Sequence, residues 1–471
     1  MSDRFRAVRR RVAAVLASVG TVAVAQVSDV VIYAAARPDA ATLAGDPFHA
    51  VAHIDGLTGV ATPVAFLPDV LQGRIGGVIT PGAGISAAGR DELTRRLLFG
   101  TAAAASGDVY GVYAVLLDGS GFAAASVTTL GAWIATAPGE EVAELEATPT
   151  GAVLALRTRP PAFGGFLGVD HLVEGSAPTC WPMTGAPPWR ATGFAFDPAD
   201  EAGQGGFYVL MEGPPGGENV ILRATAGGGP AELLSMFSTV SALGDVPGIP
   251  TSLTICPTGN LIVTHDVASA SISAVNRTTG VATLGWRDLW STGLAACEID
   301  LVRDADVLIG DGPGASGREV RRLLLPSGGV PETLAVLPSG RATAVIATSG
   351  VRMYGRAGSP PGAGFLRAGL LGTAVDGNAA FGLRCTNGSS GATGEVWFGF
   401  SSTAIALSPF GLPGSLWTLP DLATLPLAFD ATGRAELPLA LPVGLPPGLR
   451  IYVQFLDPSR PAASAGLRMA F

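Results

Sequence analysis

Residues 249–286 read IPTSLTICPTGNLIVTHDVASASISAVNRTTGVATLGW, and few folds can accommodate that pattern. A short apolar run from Leu253 to Cys256 meets a turn at Pro257-Thr258-Gly259-Asn260. A second run, Leu261 to Thr264, leads to a polar bend at His265-Asp266. A third, Ile272 to Val275, turns at Arg277-Thr278-Thr279-Gly280 into a fourth, Val281 to Trp286. Apolar runs this short, punctuated by Gly, Pro, Asn and Asp, describe four antiparallel strands. One such sheet cannot bury both faces alone, so it predicts neighbours of its own kind.

The chain supplies them. A Gly turn before a last strand recurs at Thr58-Gly59-Val60-Ala61-Thr62, Gly119-Ser120-Gly121-Phe122, near Ser176-Ala177-Pro178, at Gly227-Gly228-Gly229-Pro230, at Thr279-Gly280-Val281-Ala282-Thr283 and at Gly328-Gly329-Val330-Pro331. TGVAT appears twice letter for letter, and Pro149-Thr150-Gly151 repeats Pro257-Thr258-Gly259. Residues 88–99 (AGRDELTRRLLF) read as a short helix inserted in the longest interval, with Leu93, Leu97 and Leu98 on one face. Residues 343–353 supply a strand without a following hairpin, whereas residues 30–67 hold a hairpin without a first strand. The C-terminal strand is therefore expected to complete the N-terminal blade. Both 30–33 and 351–354 fit a second strand, so the count is six blades, with seven as the alternative.

The spelling of 249–286 resembles an NHL-type propeller blade, in which a strand, a dGN turn and a strand lead to a D..TG hairpin. Composition shifts at residues 355–364 (GRAGSPPGAG), a Pro/Gly linker. Beyond it Val396, Phe398 and Phe400 alternate, as do Leu449, Ile451, Val453 and Phe455, with Leu467, Met469 and Phe471 as a last strand. Residues 427–439 read as a hairpin around Asp430-Ala431-Thr432-Gly433, and the whole as a β-sandwich. The FGFSS, DATG and GLRIYVQ motifs in residues 356–471 resemble the C-terminal domain of exported Planctomycetes proteins, which implies architecture and export but no activity. That pattern has a cysteine in the linker where this chain has Ser359, which leaves Cys385 without its expected partner. The fold expected is all-β: a propeller over 26–354 and, after the linker, a sandwich over 365–471.

The first 25 residues read as an export signal, with Arg4, Arg6, Arg9, Arg10 and Arg11, an apolar stretch Val12 to Val24, and cleavage after Ala23-Val24-Ala25. The formal net charge of the chain is −9. Removing the five Arg and one Asp of the leader brings the mature value to −13 (−9 − 4), which disfavours nucleic acid. No later stretch reads as a transmembrane segment. Every basic residue is arginine, so lysine Schiff-base and phosphate-loop chemistries are excluded. Four cysteines lie far apart without metal-ligand spacing, and Cys256 with Cys297 is the pairing that consecutive repeats suggest; four buried thiols is the other reading.

No stretch carries a catalytic signature. Residues 312–317 (GPGASG) match G-x-G-x-x-G, but Pro326 and a Gly-Gly turn leave no room for the helix a dinucleotide needs, so the reading is a loop. His265-Asp266 and His53-x-Asp55 could orient an imidazole, and read first as bend residues. Asp300, Asp304, Asp306 and Asp311 miss calcium-loop spacing. No catalytic, cofactor-binding or metal residue is assigned and no cofactor is expected. The function expected is an exported, non-catalytic binding or interaction protein, secreted or held in the periplasm or cell envelope, with a protein or glycan partner. The alternative is a metal-dependent propeller hydrolase or lyase resembling gluconolactonases or streptogramin lyases, which would need carboxylate or histidine ligands on inner strands.

Overall fold

The computed structural model describes residues 31–471 apart from 39–49, 198–205, 239–248, 257–260, 289–293, 301–305, 312–318, 324–331, 408–412 and several shorter stretches. The leader and the G-x-G-x-x-G stretch lie outside the described residues.

Strands β1 (Val31–Arg37), β2 (Val51–Ile54) and β3 (Ala61–Pro63) form the first antiparallel meander. A small hairpin, β4 (Arg74–Ile75) and β5 (Val78–Ile79), precedes the second: β6 (Gly84–Asp91), β7 (Arg96–Ala102), β8 (Val109–Leu117) and β9 (Ala124–Ile134). The third contains β10 (Glu141–Ala147), β11 (Val153–Thr158), β12 (Phe166–Leu172) and β13 (Thr179–Trp181), and meets the second through the pair Glu141–Ala102. After β14 (Met183–Thr184), the fourth is built from β15 (Arg190–Asp197), β16 (Gly206–Glu212), β17 (Glu218–Thr225) and, past β18 (Gly229–Pro230), β19 (Glu232–Ser238). The fifth is β20 (Ile249–Ile255), β21 (Leu261–Asp266), β22 (Ala270–Val275) and β23 (Ala282–Asp288), one strand for each of the four runs expected in 249–286, though β20 starts four residues earlier and β21 continues through the expected bend at His265-Asp266. The sixth is β24 (Leu294–Asp300), β25 (Asp306–Asp311), β26 (Glu319–Leu323) and β27 (Glu332–Val336). Strand β28 (Arg341–Thr348) then pairs antiparallel with β1, so the C-terminal strand completes the N-terminal sheet.

The first strands of the sheets touch in cyclic order, β6 to β10, β15, β20, β24, β28 and back to β6. This is a β-propeller arrangement. Each of these inner strands carries an extra residue against its partner, at Ser86, Ala143, Thr192, Thr251, Ala295 and Thr343. Such a bulge locally bends and twists a strand and leaves the extra residue outside the ladder. Two of these hydroxyls span to the next sheet: Thr343 donates to Ile85 O at 2.9 Å, and Ser86 to Val142 O at 2.7 Å.

The Gly turns do a second job. Gly280 and Gly59 both have φ of +70°, and a Cβ on either would collide with a carbonyl oxygen of the neighbouring sheet, Leu234 O or Leu334 O. Leu234 and Leu334 are themselves bulge residues on outer strands. Only glycine meets both demands, a left-handed backbone and a backbone within touching distance. Ser235 Oγ adds a bond to Gly280 O at 2.6 Å. Next to the same turn, Arg277 enters the fourth sheet and pairs with Asp197 at 2.6 Å, both side chains 1% exposed.

Four expectations need correction. Residues 88–91 and 96–99 are strand, in β6 and β7, where a helix was expected, and Arg95 just before β7 has φ +56°. Leu97 and Leu98 alternate into packing on opposite faces of a strand, which the apolar count alone could not separate from a helical stripe. Residues 351–354, a rival second strand in the sequence, form β29 (Val351–Tyr354), which pairs with the chain end rather than with the ring. Cys180 is exposed while Cys256 and Cys385 are buried, against the reading of four buried thiols, and the Cys297 side chain of the expected Cys256 pairing lies outside the described residues. The hairpin expected at 427–439 is a crossing between two sheets, as the C-terminal strands show.

Those strands are β30 (Arg367–Leu371), β31 (Gly382–Thr386), β32 (Thr393–Gly399), β33 (Ser402–Ala406), β34 (Ser415–Thr418), β35 (Ala423–Ala428), β36 (Ala435–Pro438), β37 (Arg450–Asp457), β38 (Ala462–Ala463) and β39 (Gly466–Ala470). One sheet runs β29-β39-β37-β32-β35, with β38 beside β37; another runs β30-β31-β36. The Asp430 turn therefore passes from the first sheet to the second. Phe381 and Leu383 of one side and Phe398, Val453 and Phe455 of the other share a buried apolar cluster. Residues 357–360 are not a free tether: Gly358 exchanges backbone bonds with Ala463 at 2.8 and 2.9 Å.

Candidate functional site

Where the inner strands begin, their first residues lie around one end of the propeller arrangement, called the mouth below. The first inner residues are Gly84, Glu141, Arg190, Ile249, Leu294 and Arg341. Their register partners at the ends of the second strands are Ala102, Thr158, Glu212, Asp266, Asp311 and Arg37. The charged side chains described there are Arg37, Glu141, Arg190 and Glu212, on the first, third and fourth sheets. Arg37 donates to Glu141 Oε2 at 2.8 Å, and Arg190 donates to Glu141 Oε1 at 2.8 Å. Burial alone would raise the Glu141 carboxyl, but the two guanidinium charges outweigh it and hold the pKa at about 2. Glu212 stands 4.0 Å from Arg190; its burial pushes its pKa up, partly offset by the arginine.

The arginine can cross from the first sheet to the third because the second sheet contributes Gly84, which has no side chain, at that level (φ +99°). Deeper in the channel, the residues following the bulges are Ala87, Glu144, Gly193, Ser252, Ala296 and Ala344. Ser252 Oγ lies 3.2 Å from Glu144 Oε2, reaching from the fifth sheet to the third past Gly193 of the fourth. A Cβ at Gly193 would stand 2.7 Å from Leu253 N, so the strands themselves are packed too close for any larger residue. Thr192, on the adjacent bulge, buries a hydroxyl that has no hydrogen-bond partner among the described residues.

The residues singled out in the sequence fall elsewhere. His53 packs edge-on against Tyr33 and Phe122, at 5.3 and 4.6 Å between ring centres, and burial lowers its pKa. Asp55 Oδ1 accepts from Thr58 N at 2.9 Å, and Asn276 Oδ1 accepts from Thr279 N at 2.9 Å, so these are turn-forming residues. His265 and Asp266 end β21, and Asp300, Asp306 and Asp311 lie on β24 and β25. Asp266 and Asp311 thus occupy ring positions at the mouth. Asp304 lies outside the described residues. Strands β25 and β26, which flank 312–317, run antiparallel, whereas a dinucleotide fold requires strand, helix and parallel strand. Among the described residues no three His, Cys, Asp or Glu side chains gather as metal ligands would.

Sequence reasoning missed the mouth itself. Arg190-Ala191-Thr192 and Arg341-Ala342-Thr343 repeat letter for letter at the start of two inner strands. That repeat marks both the rim arginine and the bulge hydroxyl. Glu141, Glu144 and Glu146 also lie on an inner strand, the kind of strand on which the enzyme alternative needed carboxylates.

No family model matches the chain, and no curated protein matches it. Solved structures similar to it include the nidogen/laminin complex, at 11% identity and a TM-score of 0.45, with 68% of this chain and 97% of that one covered. A putative 6-phosphogluconolactonase from Bacteroides uniformis aligns at 12% identity and a TM-score of 0.39, covering 85% of this chain and 99% of its own. The periplasmic gluconolactonase of Pseudomonas aeruginosa aligns at 13% identity and a TM-score of 0.37, covering 67% and 98%.

Proposed function

We propose that this chain is an exported, non-catalytic binding protein, a six-bladed propeller followed by a C-terminal β-sandwich, which engages its partner at the channel mouth. The count of six takes the second and third meanders as separate blades, and the cyclic order of the inner strands supports it. The leader at 1–25, with release before Gln26, and a secreted or envelope location complete the proposal. Its main support is the state of Glu141. A carboxylate held between two guanidiniums is ionised across physiological pH and committed to bridging three sheets, so it is poorly suited to proton transfer, which needs a pKa near the working pH. One observation favours the alternative, a metal-dependent hydrolase or lyase: Glu144 lies on an inner strand beside the hydroxyl of Ser252. Assaying the purified chain on sugar lactones, with and without added Ca²⁺, Mn²⁺ or Zn²⁺, decides between them. The binding reading expects no turnover above the uncatalysed rate; metal-dependent turnover lost in Glu144→Gln refutes it.

A further inference from the structure

Between the two C-terminal sheets lies a cavity of about 40 Å³. Its wall includes Phe381, Phe398, Leu439, Leu441, Leu445 and Ile451, and every described residue that lines it has an apolar side chain. A water-sized group needs ~10–15 Å³, and a water also needs two to four polar partners. This hole therefore suits about three or four carbon atoms rather than water. Part of its wall is a strap, residues 439–445, on the way from β36 to β37. Backbone bonds tie the strap to the turn at 376–378: Gly377 N donates to Pro442 O at 3.2 Å, and Leu441 N to Asn378 O at 3.0 Å. The Asp376 carboxylate accepts from Gly444 N and Leu445 N, both at 3.0 Å. Fixed in this way, the strap holds Val443 outward at 86% exposure, the highest of any large apolar residue among the described ones. Residues 437–449 (LPLALPVGLPPGL) include no charged side chain.

We propose that this face joins two copies of the chain, with the Val443 side chain of each seated in the cavity of the other. The inference stands apart from the mouth and does not depend on the reading of it. Three observations select a second copy as the occupant. A valine side chain has three carbons, which is what the cavity admits. Leu441, Pro442 and Leu445, on either side of Val443, line the cavity. Knob and hole thus share one face, the self-complementary arrangement that a two-fold dimer requires. A net charge of −9 on each copy opposes approach, and the uncharged strip is where two surfaces can meet without setting like charges against each other. Residues 437–449 are thirteen per copy, about half of the ~20–30 of a standard interface, so the dimer is weak and concentration-dependent.

The test is sedimentation velocity of the full chain from low micromolar to several hundred micromolar. A reversible monomer–dimer equilibrium is the result expected. Val443→Asp should weaken it roughly 100-fold or more, because each copy loses the burial of one valine, ~10-fold apiece. Ala440→Phe, at an exposed position on the cavity wall, fills the hole, leaves Val443 in place and should also abolish the dimer. Both sites are exposed, so an unchanged melting temperature is expected for each variant. A parent that stays monomeric overturns the inference, and saturable binding of 1-butanol by that monomer would assign the cavity to a free aliphatic ligand instead. A dimer that persists in Val443→Asp overturns it as well, because the contact then lies elsewhere. Association lost in Val443→Asp but kept in Ala440→Phe refutes the cavity as the seat.

Discussion

Replacing Glu141 by Gln removes the charge that joins the first, third and fourth sheets. Its carboxyl falls from 4.5 to about 2, because Arg37 and Arg190 outweigh the opposing cost of burial. At ~1.4 kcal/mol per pH unit, that displacement contributes about 3 kcal/mol to folding at neutral pH. Because the folded-state pKa is depressed, the contribution is complete above about pH 5. It is lost as pH falls toward about 2, and less than half remains at pH 3. The ring spans about 320 residues, and unfolding entropy of ~2.1 cal/mol/K per residue makes ~0.7 kcal/mol/K. The Glu141→Gln variant should therefore melt about 4 °C below the parent at pH 6, with the gap shrinking to less than half at pH 3. Differential scanning calorimetry of both proteins at the two values measures it. A gap of equal size at pH 3 and pH 6, or none at pH 6, refutes the argument that the clamp is electrostatic.

Gly280→Ala should lose more than ~2 kcal/mol in a urea titration, since left-handed backbone costs ~1–2 kcal/mol before the collision with Leu234 O is counted; an unchanged midpoint would mean that the turn does not rest on its neighbour. Cys180 should react with a maleimide in the native protein while Cys256 and Cys385 react only after unfolding, as mass spectrometry of the labelled chain will show. A fragment of residues 349–471 should melt cooperatively, whereas 365–471 should not match its stability, because the shorter piece lacks β29 and the Gly358–Ala463 pairing. Equal melting temperatures for the two pieces would show that β29 contributes nothing to that sheet.

The fold was legible where a local rule coincides with a tertiary need. Thr58-Gly59 and Thr279-Gly280 spell the same turn because each must be left-handed and each must lie against the next sheet. That double constraint keeps the letters alike. Strand closure by 341–348 followed from a strand missing at one end and surplus at the other. Residues 88–99 failed because Arg and Leu are good helix formers, and pairing with two neighbouring strands overrode that preference. Residues 427–439 failed because an Asp-x-x-Gly turn looks the same whether its arms pair with each other or with different sheets. The mouth was illegible for another reason: Glu141 lies 104 residues from Arg37 and 49 from Arg190, and the three meet only once the ring closes. Gln454 alternates with Val453 and Phe455 and so falls on the opposite face of β37, yet it is buried too, because Trp417 N donates to it at 2.8 Å from a strand that the alternation of β37 does not reveal.

The Gly turns give the ring a direction. The first sheet lies on the sixth through Gly59, and the fifth on the fourth through Gly280, so at both junctions one sheet offers a knob and the sheet before it a seat. In symmetry terms this is a head-to-tail contact, which forms a closed ring only if the rotation per step returns to its start; otherwise it propagates. A chain that lost the first sheet would carry an unfilled seat on Leu334, and one that lost the sixth a knob at Gly59 with nowhere to rest. Those two surfaces are complementary, so the missing neighbour could be found only in another molecule. The feature that closes one chain on itself is thus also the one by which incomplete chains would link into larger assemblies.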